Sequence, residues 1–316
     1  MTENREPALF LVGHGTRSEA GVAQFWDFVD AVRAARPWTE LGAGLIEFVS
    51  PTLDEGIDDL VKRGARRIVA VPLVLLGAGH MKDDGPAALL RARERHPGLS
   101  TDYARDLGVH PLMLAAAQDK ILTAGGGGKD CDAIVLIGRG SSDPDANSDL
   151  VKVARLLADR RGLASGLSPT ADLSPASTLS PASTLKGAQG DENSGTSLGL
   201  GLVEPAFVSL APPDLRSALD RCYRLGARRI VVAPYFLFTG ILPDRIAAQV
   251  RTWSDTHPDT TVSIAEELRH DPRIVELVWQ RYDEAEAGNA AMNCDGCIYR
   301  APLPGYESRV GSAPFS

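Results

Sequence analysis

The chain has 316 residues, of which 44% are hydrophobic and 23% are charged, a composition typical of globular proteins long enough for two cores. Its formal net charge of −8 argues against nucleic acid as a partner. No stretch approaches the roughly 20 consecutive apolar residues of a membrane span, and four cysteines make no disulfide scaffold. The opening residues, MTENREPALFLVG, lack a signal-peptide pattern, so we expect a cytoplasmic location.

Three apolar runs in the first half of the chain carry or precede an ionisable residue. The first, LFLVGHGTR, stops at a glycine and continues with His14 between two glycines. The second, GLIEFVSPTL, contains Glu47, and the third, VPLVLLGAGHMKDD, leads to His80 and a predicted helix. Imidazoles with a carboxylate bind late first-row divalent metals and can take up protons near neutral pH. No nucleotide-binding motif accompanies them, which favours metal chemistry without ATP.

Much of this pattern occurs twice. Residues 57–72 read IDDLVKRGARRIVAVP, and residues 219–234 read LDRCYRLGARRIVVAP. Each is a helical pattern that ends in glycine, followed by two arginines and a β-branched strand that ends in proline. The offset is 162 residues here, from Gly64 to Gly226, but only 125 from His14 to Arg139 in DAIVLIGRGSSD. The difference predicts 37 inserted residues in the second half.

The repeat predicts an α/β protein with two similar domains, each a small, mainly parallel sheet flanked by helices. The predicted parts are an N-terminal domain at 6–124 and a glycine-rich linker at 125–130. They are followed by a C-terminal domain at 131–288, which contains an insertion at 164–200, and by a tail at 289–316. The insertion contains a tandem LSPAST, which predicts a flexible surface loop, although a regulatory or partner-binding role stays open. The linker's GGGGK is not a phosphate loop, because Asp130 stands where Ser or Thr would bind magnesium.

Comparing the two halves separates residues that the fold needs from those that it does not. The three ionisable residues and their second-half counterparts are His14 and Arg139, Glu47 and Ser209, and His80 and Leu242. All three ionisable groups are lost together, which predicts one site, in the first domain. The alternative is three unrelated substitutions after duplication.

The motifs LVGHGTR, IEFVSPTL and VPLVLLGAGHMKDD resemble those of the class II tetrapyrrole chelatases, which insert cobalt or iron into sirohydrochlorin. The resemblance covers most of residues 8–124 and, more weakly, 131–285, and it is closer to the long, internally duplicated form, with two chelatase-like domains. It implies that His14 and His80 are catalytic and bind the metal, with Glu47 as their acidic partner. It also implies that the second domain walls the cleft and has no active site of its own.

Sirohydrochlorin carries many carboxylates, so the resemblance gives three cations near the predicted site a role. Arg17, Lys82 and Arg139 are predicted to bind substrate carboxylates through charge-assisted hydrogen bonds. Ordinary surface charge is the alternative. Cobalt, leading to cobalamin, is favoured over iron, leading to sirohaem, because the long form with a C-x-x-C tail resembles the cobalt enzymes. The residues themselves do not fix the metal.

The tail contains MNCDGCIYR, in which Cys294 and Cys297 have a spacing typical of metal ligands. Long chelatases are similar in having a C-terminal M-x-C-x-x-C associated with an iron–sulfur centre. Two thiolates are half of a tetrahedral site, so a cluster needs ligands from a second subunit, as in a homodimer, or from a non-protein source. A redox-active dithiol and a zinc site shared between chains stay open. Any cluster is expected to be regulatory or structural, because chelation needs no electron transfer.

Two other functions compete with the chelatase interpretation. GHGTR resembles the R-H-G of histidine phosphatases, but Gly13 stands where the phosphate-binding arginine belongs. A cobalt or nickel carrier, or a tetrapyrrole carrier without turnover, would use the same ligands as an enzyme. Turnover distinguishes the two, because a carrier binds metal stoichiometrically and leaves free tetrapyrrole unmetallated.

Overall fold

The computed structural model describes residues 6–126, 131–164, 202–269 and 271–290. The predicted insertion after Ala164, most of the glycine-rich linker and nearly all of the tail, including Cys294 and Cys297, lie outside the described residues. The domain limits at these places stay predictions.

The first half forms a four-stranded parallel sheet in the order β2-β1-β3-β4. Its elements alternate strictly between strand and helix: β1 (Ala8–Gly13), α1 (Glu19–Ala35), β2 (Leu41–Leu45), α2 (Leu53–Lys62), β3 (Arg67–Pro72), α3 (Gly79–Arg95), β4 (Ser100–Tyr103) and α4 (Pro111–Ala124). All six residues of β1 are buried, as expected for a central parallel strand that is covered on both faces.

The second half repeats this order as a second parallel sheet, β6-β5-β7-β8. Its elements are β5 (Ala133–Gly138), α5 (Pro144–Ala164), β6 (Val203–Phe207), α6 (Leu215–Arg224), β7 (Arg229–Pro234), α7 (Ile241–Asp255), β8 (Thr261–Ile264) and α8 (Pro272–Glu286). The predicted α/β class with two parallel sheets is therefore confirmed. None of the helices in the described ranges combines the length and the apolar character needed to cross a membrane.

Local chemistry accounts for the repeated helix–strand unit. Thr52 and Glu55 form a capping box at the start of α2, each side chain bonded to the other residue's backbone N–H. Gly64 and Gly226 follow α2 and α6 at φ values of 103° and 92°, the left-handed region in which a helix commonly ends. Both glycines were predicted as helix ends from the sequence, and the structure confirms them.

The last helix of each half packs on the other half. Helix α8 lies against β3, β4 and α1 of the first half, and α4 lies against β7 and α5 of the second. Trp279 of α8 donates its indole N–H to the carbonyl oxygen of Val32 over 3.2 Å. Arg36 donates two hydrogen bonds, of 2.6 and 2.7 Å, to the Asp283 carboxylate. Each half of the sequence repeat is therefore completed by the last helix of the other half, which the repeated motifs did not predict.

This exchange produces one core shared by the two halves. It contains buried side chains from β1 and β5 together with α1, α4, α5 and α8, among them Leu9, Phe28, Met113, Leu136 and Trp279. Smaller clusters under α2 and α3, and under α6 and α7, cover the outer face of each sheet. A shared core holds the two sheets in a fixed relation, which a site built from both halves requires.

Candidate active site

A cleft of about 1030 Å³ lies where the carboxyl ends of both sheets meet. The loops after β1, β2 and β3 line one side, and the loops after β5, β6 and β7 line the other. Open parallel sheets bind ligands at this end of their strands. Among the lining residues are His14, Arg17, Phe48, Arg139, Ser209 and Leu242. The cleft thus contains two of the predicted cations, one predicted histidine and the second-half counterparts of Glu47 and His80.

The loops that carry His14 and Glu47 are bonded to each other. The Glu47 N–H donates to the carbonyl oxygen of His14 over 3.0 Å, and the Ile46 N–H donates to that of Gly13 over 2.9 Å. Gly15 has φ 95°, and a Cβ on it would overlap the Glu47 carbonyl oxygen. Glycine is required there by both its backbone angle and this close approach. The structure therefore brings half-buried His14 and half-buried Glu47 together.

The second half has the same loop geometry with different side chains. The Ser209 N–H donates to the carbonyl oxygen of Arg139 over 3.0 Å, as Glu47 does to His14. Gly140 has φ 84°, and a Cβ on it would overlap the Ser209 carbonyl oxygen. The backbone equivalence of these positions is confirmed. Because the loop forms with Arg and Ser as well as with His and Glu, the fold does not require the ionisable pair.

Arg139 reaches across the cleft to the first half. Its Nη1 donates to His14 Nε2 over 3.2 Å. A guanidinium can only donate, so Nε2 must accept, which leaves the proton of a neutral His14 on Nδ1. In this contact the Nε2 lone pair accepts the Arg139 N–H. A metal would use the same lone pair, so Arg139 has to move away before Nε2 can bind one. The sequence predicted that both residues belong to the site but not that they touch.

The third predicted ligand, His80, is the second residue of α3, whose start follows β3 at the same end of the sheet. Its side chain lies outside the described part of the structure. Among the side chains that are described, no group of three His, Cys, Asp or Glu is arranged to hold a metal ion. The three-residue set of His14, Glu47 and His80 stays a prediction.

The other two predicted cations differ in their surroundings. Arg17 is exposed, lines the cleft and holds its guanidinium carbon 4.8 Å from the centre of the Phe48 ring. Lys82 instead donates to Asp143 over 2.6 Å and to Asp145 over 3.3 Å, linking the start of α3 to that of α5. The hydrogen bond to Asp143 raises the pKa of Lys82 above its usual value. Its substrate-binding role stays a prediction.

Sequence reasoning did not single out most residues of the cleft lining, among them two that are ionisable and two that are both large and exposed. Asp83 and Asp84 follow Lys82 in MKDD, and their place in the second turn of α3, soon after His80, was the available signal. Phe48 and Leu210 also line the cleft and are large, apolar and exposed. Phe48 and Leu210 are 162 residues apart, which is the offset of the repeat, and this equivalence was the signal available in the sequence.

The cysteines of the described part give no cluster site. Cys222 is buried in α6, and burial raises its pKa to about 12, which disfavours the thiolate that a metal binds. Cys131 lies just before β5. With Cys294 and Cys297 outside the described residues, the iron–sulfur interpretation stays a prediction.

Comparison with known proteins gives a consistent set of relatives. Residues 8–124 and 192–285 match the family CbiX. The chain is 29% identical over 299 residues to sirohydrochlorin cobaltochelatase from Priestia megaterium, covering 93% of this chain and 84% of that protein. It is 27% identical over 247 residues to sirohydrochlorin ferrochelatase from the same organism, covering 78% and 79%. The sirohydrochlorin chelatase SirB from Bacillus subtilis subspecies spizizenii, solved in complex with cobalt, superposes with a TM-score of 0.66 at 26% identity, covering 89% of this chain and 96% of that one.

Proposed function

Since this chain belongs to the CbiX family, we propose that it inserts a divalent metal ion into sirohydrochlorin without ATP. Relatives that match most of its length are named sirohydrochlorin cobaltochelatase and ferrochelatase. The observation that carries the proposal is the cleft between the two sheets, where His14 of the first half meets Arg139 of the second through a 3.2 Å hydrogen bond to Nε2. Such a site offers a metal ligand and a cation for substrate carboxylates within one cleft.

The proposed reaction uses the same side chains for the metal and for protons. The macrocycle must lose its inner N–H protons as the metal enters, so groups that can bind a cation and also accept a proton suit both tasks. His14 would present Nε2 to the incoming metal, with Glu47 beside it on the neighbouring loop and His80 from the start of α3. The metal is substrate here, and leaves in the product.

The experiment that tests the proposal follows the absorption spectrum of sirohydrochlorin under anaerobic conditions, with Co²⁺ or Fe²⁺ in excess over the tetrapyrrole. At a protein concentration one hundredth that of the tetrapyrrole, we expect complete metallation at a rate well above that of the protein-free mixture. Metallation that stops near one equivalent per protein would favour the alternative, a cobalt, nickel or tetrapyrrole carrier. A rate equal to the protein-free control would contradict the proposal.

Between the two metals we expect a higher kcat/KM with Co²⁺ than with Fe²⁺. The cobaltochelatase relative matches a larger share of this chain than the ferrochelatase relative does, which supports this order. Parallel anaerobic assays with each metal, corrected for the spontaneous rate of each, measure the ratio. A ratio below one would assign the protein to iron insertion.

Arg139 is proposed to bind a substrate carboxylate. Replacing Arg139 by Ala should raise KM for sirohydrochlorin about tenfold, the effect of one charge-assisted hydrogen bond, while kcat falls much less. Arg139→Lys should recover part of the loss, because an ammonium keeps the charge without the planar pair of donors. Arg155→Ala is the matched control, since that arginine pairs with Asp159 on the exposed face of α5. Equal KM values in the wild type and Arg139→Ala would show that Arg139 is surface charge.

Three further points belong to the proposal without entering the reaction. The low cysteine content supports a cytoplasmic location. An iron–sulfur centre at Cys294 and Cys297, with ligands shared in a homodimer, would act in regulation or assembly. No step of metal insertion depends on it.

A further inference from the structure

Phe48 and Leu210 are equivalent residues in the two halves that share an unusual conformation. They follow β2 and β6 at the same offset as the rest of the repeat, and both line the cleft. Their φ values are 70° and 65°, in the left-handed region that bulky side chains rarely adopt. Their side chains are 55% and 68% exposed.

Neither the backbone nor the core explains large apolar side chains at these positions. Glycine adopts this conformation without steric cost, so the turn alone would favour glycine. Exposure at this level means that neither side chain gains much from burial in the protein. Arg17 covers one face of the Phe48 ring, but an exposed contact of this kind is weak. Strained backbone conformations cluster at active sites and ligand-binding residues, so an observed one motivates a hypothesis of function.

Comparison of the halves strengthens this argument. The second half has Arg139 and Ser209 where the first has His14 and Glu47, yet it keeps a large apolar residue at position 210. The proposed metal ligands therefore lie on one side of the cleft, whereas the strained apolar residue is present on both. A flat ligand with two apolar faces needs contacts from both sides.

We propose that Phe48 and Leu210 bind the apolar faces of the tetrapyrrole ring from the two sides of the cleft. This inference rests on the proposed function and adds the residues that hold the macrocycle. Among the described residues of the cleft lining, the cations are Arg17 and Arg139, and these are the groups proposed to pair with the carboxylates at the rim of the ring. In this arrangement the apolar side chains contact the faces of the ring, and the guanidinium groups bind the carboxylates at its edge.

The test uses glycine and alanine variants of the full-length protein, with binding of metal-free sirohydrochlorin measured by fluorescence and turnover measured by absorption. Phe48→Gly and Leu210→Gly should each raise Kd and KM for sirohydrochlorin about tenfold. Relief of the left-handed strain should also raise the thermal unfolding midpoint of each by about 2 °C. Phe48→Ala removes the ring but keeps the strain, so it should raise Kd without raising the midpoint.

Trp38→Ala is the control, because Trp38 is an apolar side chain with 71% exposure that does not belong to the cleft lining. Its Kd should equal that of the wild type. Unchanged Kd in both glycine variants, or equal weakening in Trp38→Ala, would overturn the inference even if the wild type turns over. If the wild type binds sirohydrochlorin without turnover, the proposed function fails, and weaker binding by the glycine variants still supports the ring-binding role.

Discussion

Replacing His14 by Ala should lower kcat for metal insertion about a thousandfold, toward the spontaneous rate, and leave Kd for sirohydrochlorin within about twofold of the wild type. The reason is that His14 is the proposed metal ligand and proton acceptor, and its loop is held in place by hydrogen bonds from the Ile46 and Glu47 N–H groups to the Gly13 and His14 carbonyl oxygens. In the proposed mechanism, sirohydrochlorin is bound by other residues. The loss should therefore appear in kcat and metal affinity.

His257→Ala is the matched control for this variant. His257 stacks on Trp253 with ring centroids 3.8 Å apart. It lies two residues after the end of α7 and does not belong to the cleft lining. Its removal should cost stability and leave kcat unchanged. His14→Arg is a second test of His14, because it introduces arginine, the residue that the second half has at the equivalent position 139. Appreciable turnover by His14→Ala or His14→Arg would remove His14 from the reaction.

Replacing Arg281 by Leu should lower the free energy of unfolding by about 3 kcal/mol or more, the largest expected effect on stability. Arg281 lies in α8 and is only 1% exposed. It donates to the carbonyl oxygens of Asp106 and Leu107, over 2.8 Å each, and to the Glu284 carboxylate. Leucine leaves these two buried acceptors without their donor, and unmade buried hydrogen bonds are costly. Urea unfolding, followed by circular dichroism, measures the change.

Arg281 also supports the loop before α3, through its partner Asp106. The Asp106 carboxylate accepts a 2.6 Å hydrogen bond from the Gly77 N–H, just ahead of the helix that contains His80. Arg155→Leu is the control, since its ion pair with Asp159 is exposed and should contribute less than about 0.5 kcal/mol. An unfolding midpoint for Arg281→Leu equal to that of the control would show that the exchange of α8 does not depend on this contact.

Much of the fold could be predicted because its signals are local. Uninterrupted apolar runs such as ALFLVG and AIVLIG indicate strands buried on both faces, and the glycines after α2 and α6 mark helix ends. Repetition of these signals at fixed offsets predicted two copies of one unit. The exchange of α4 and α8 left no such signal, because an apolar helix face does not reveal which of two similar sheets it covers.

For the candidate site, sequence reasoning reached the residues whose chemistry differs between the copies. It placed His14 at the end of a strand, where parallel sheets bind ligands, and Glu47 and Arg139 in or directly after apolar strand-like runs. It missed Phe48 and Leu210, because an apolar residue gives no hint in the sequence of a left-handed backbone or of exposure. It also did not predict the bonds of Lys82 to Asp143 and Asp145, which join residues far apart in the chain.

The sequence by itself thus determined the repeated α/β unit, the family and the asymmetry between the halves, since each depends on residue type and spacing along the chain. Only the tertiary structure decided how the halves combine: the exchanged helices, the contact of Arg139 with His14 and the left-handed, exposed apolar residues that line the cleft. The contact of Arg139 with His14, for example, joins positions 125 residues apart in sequence. Packing of one shared core fixes such distances, and no local pattern encodes them.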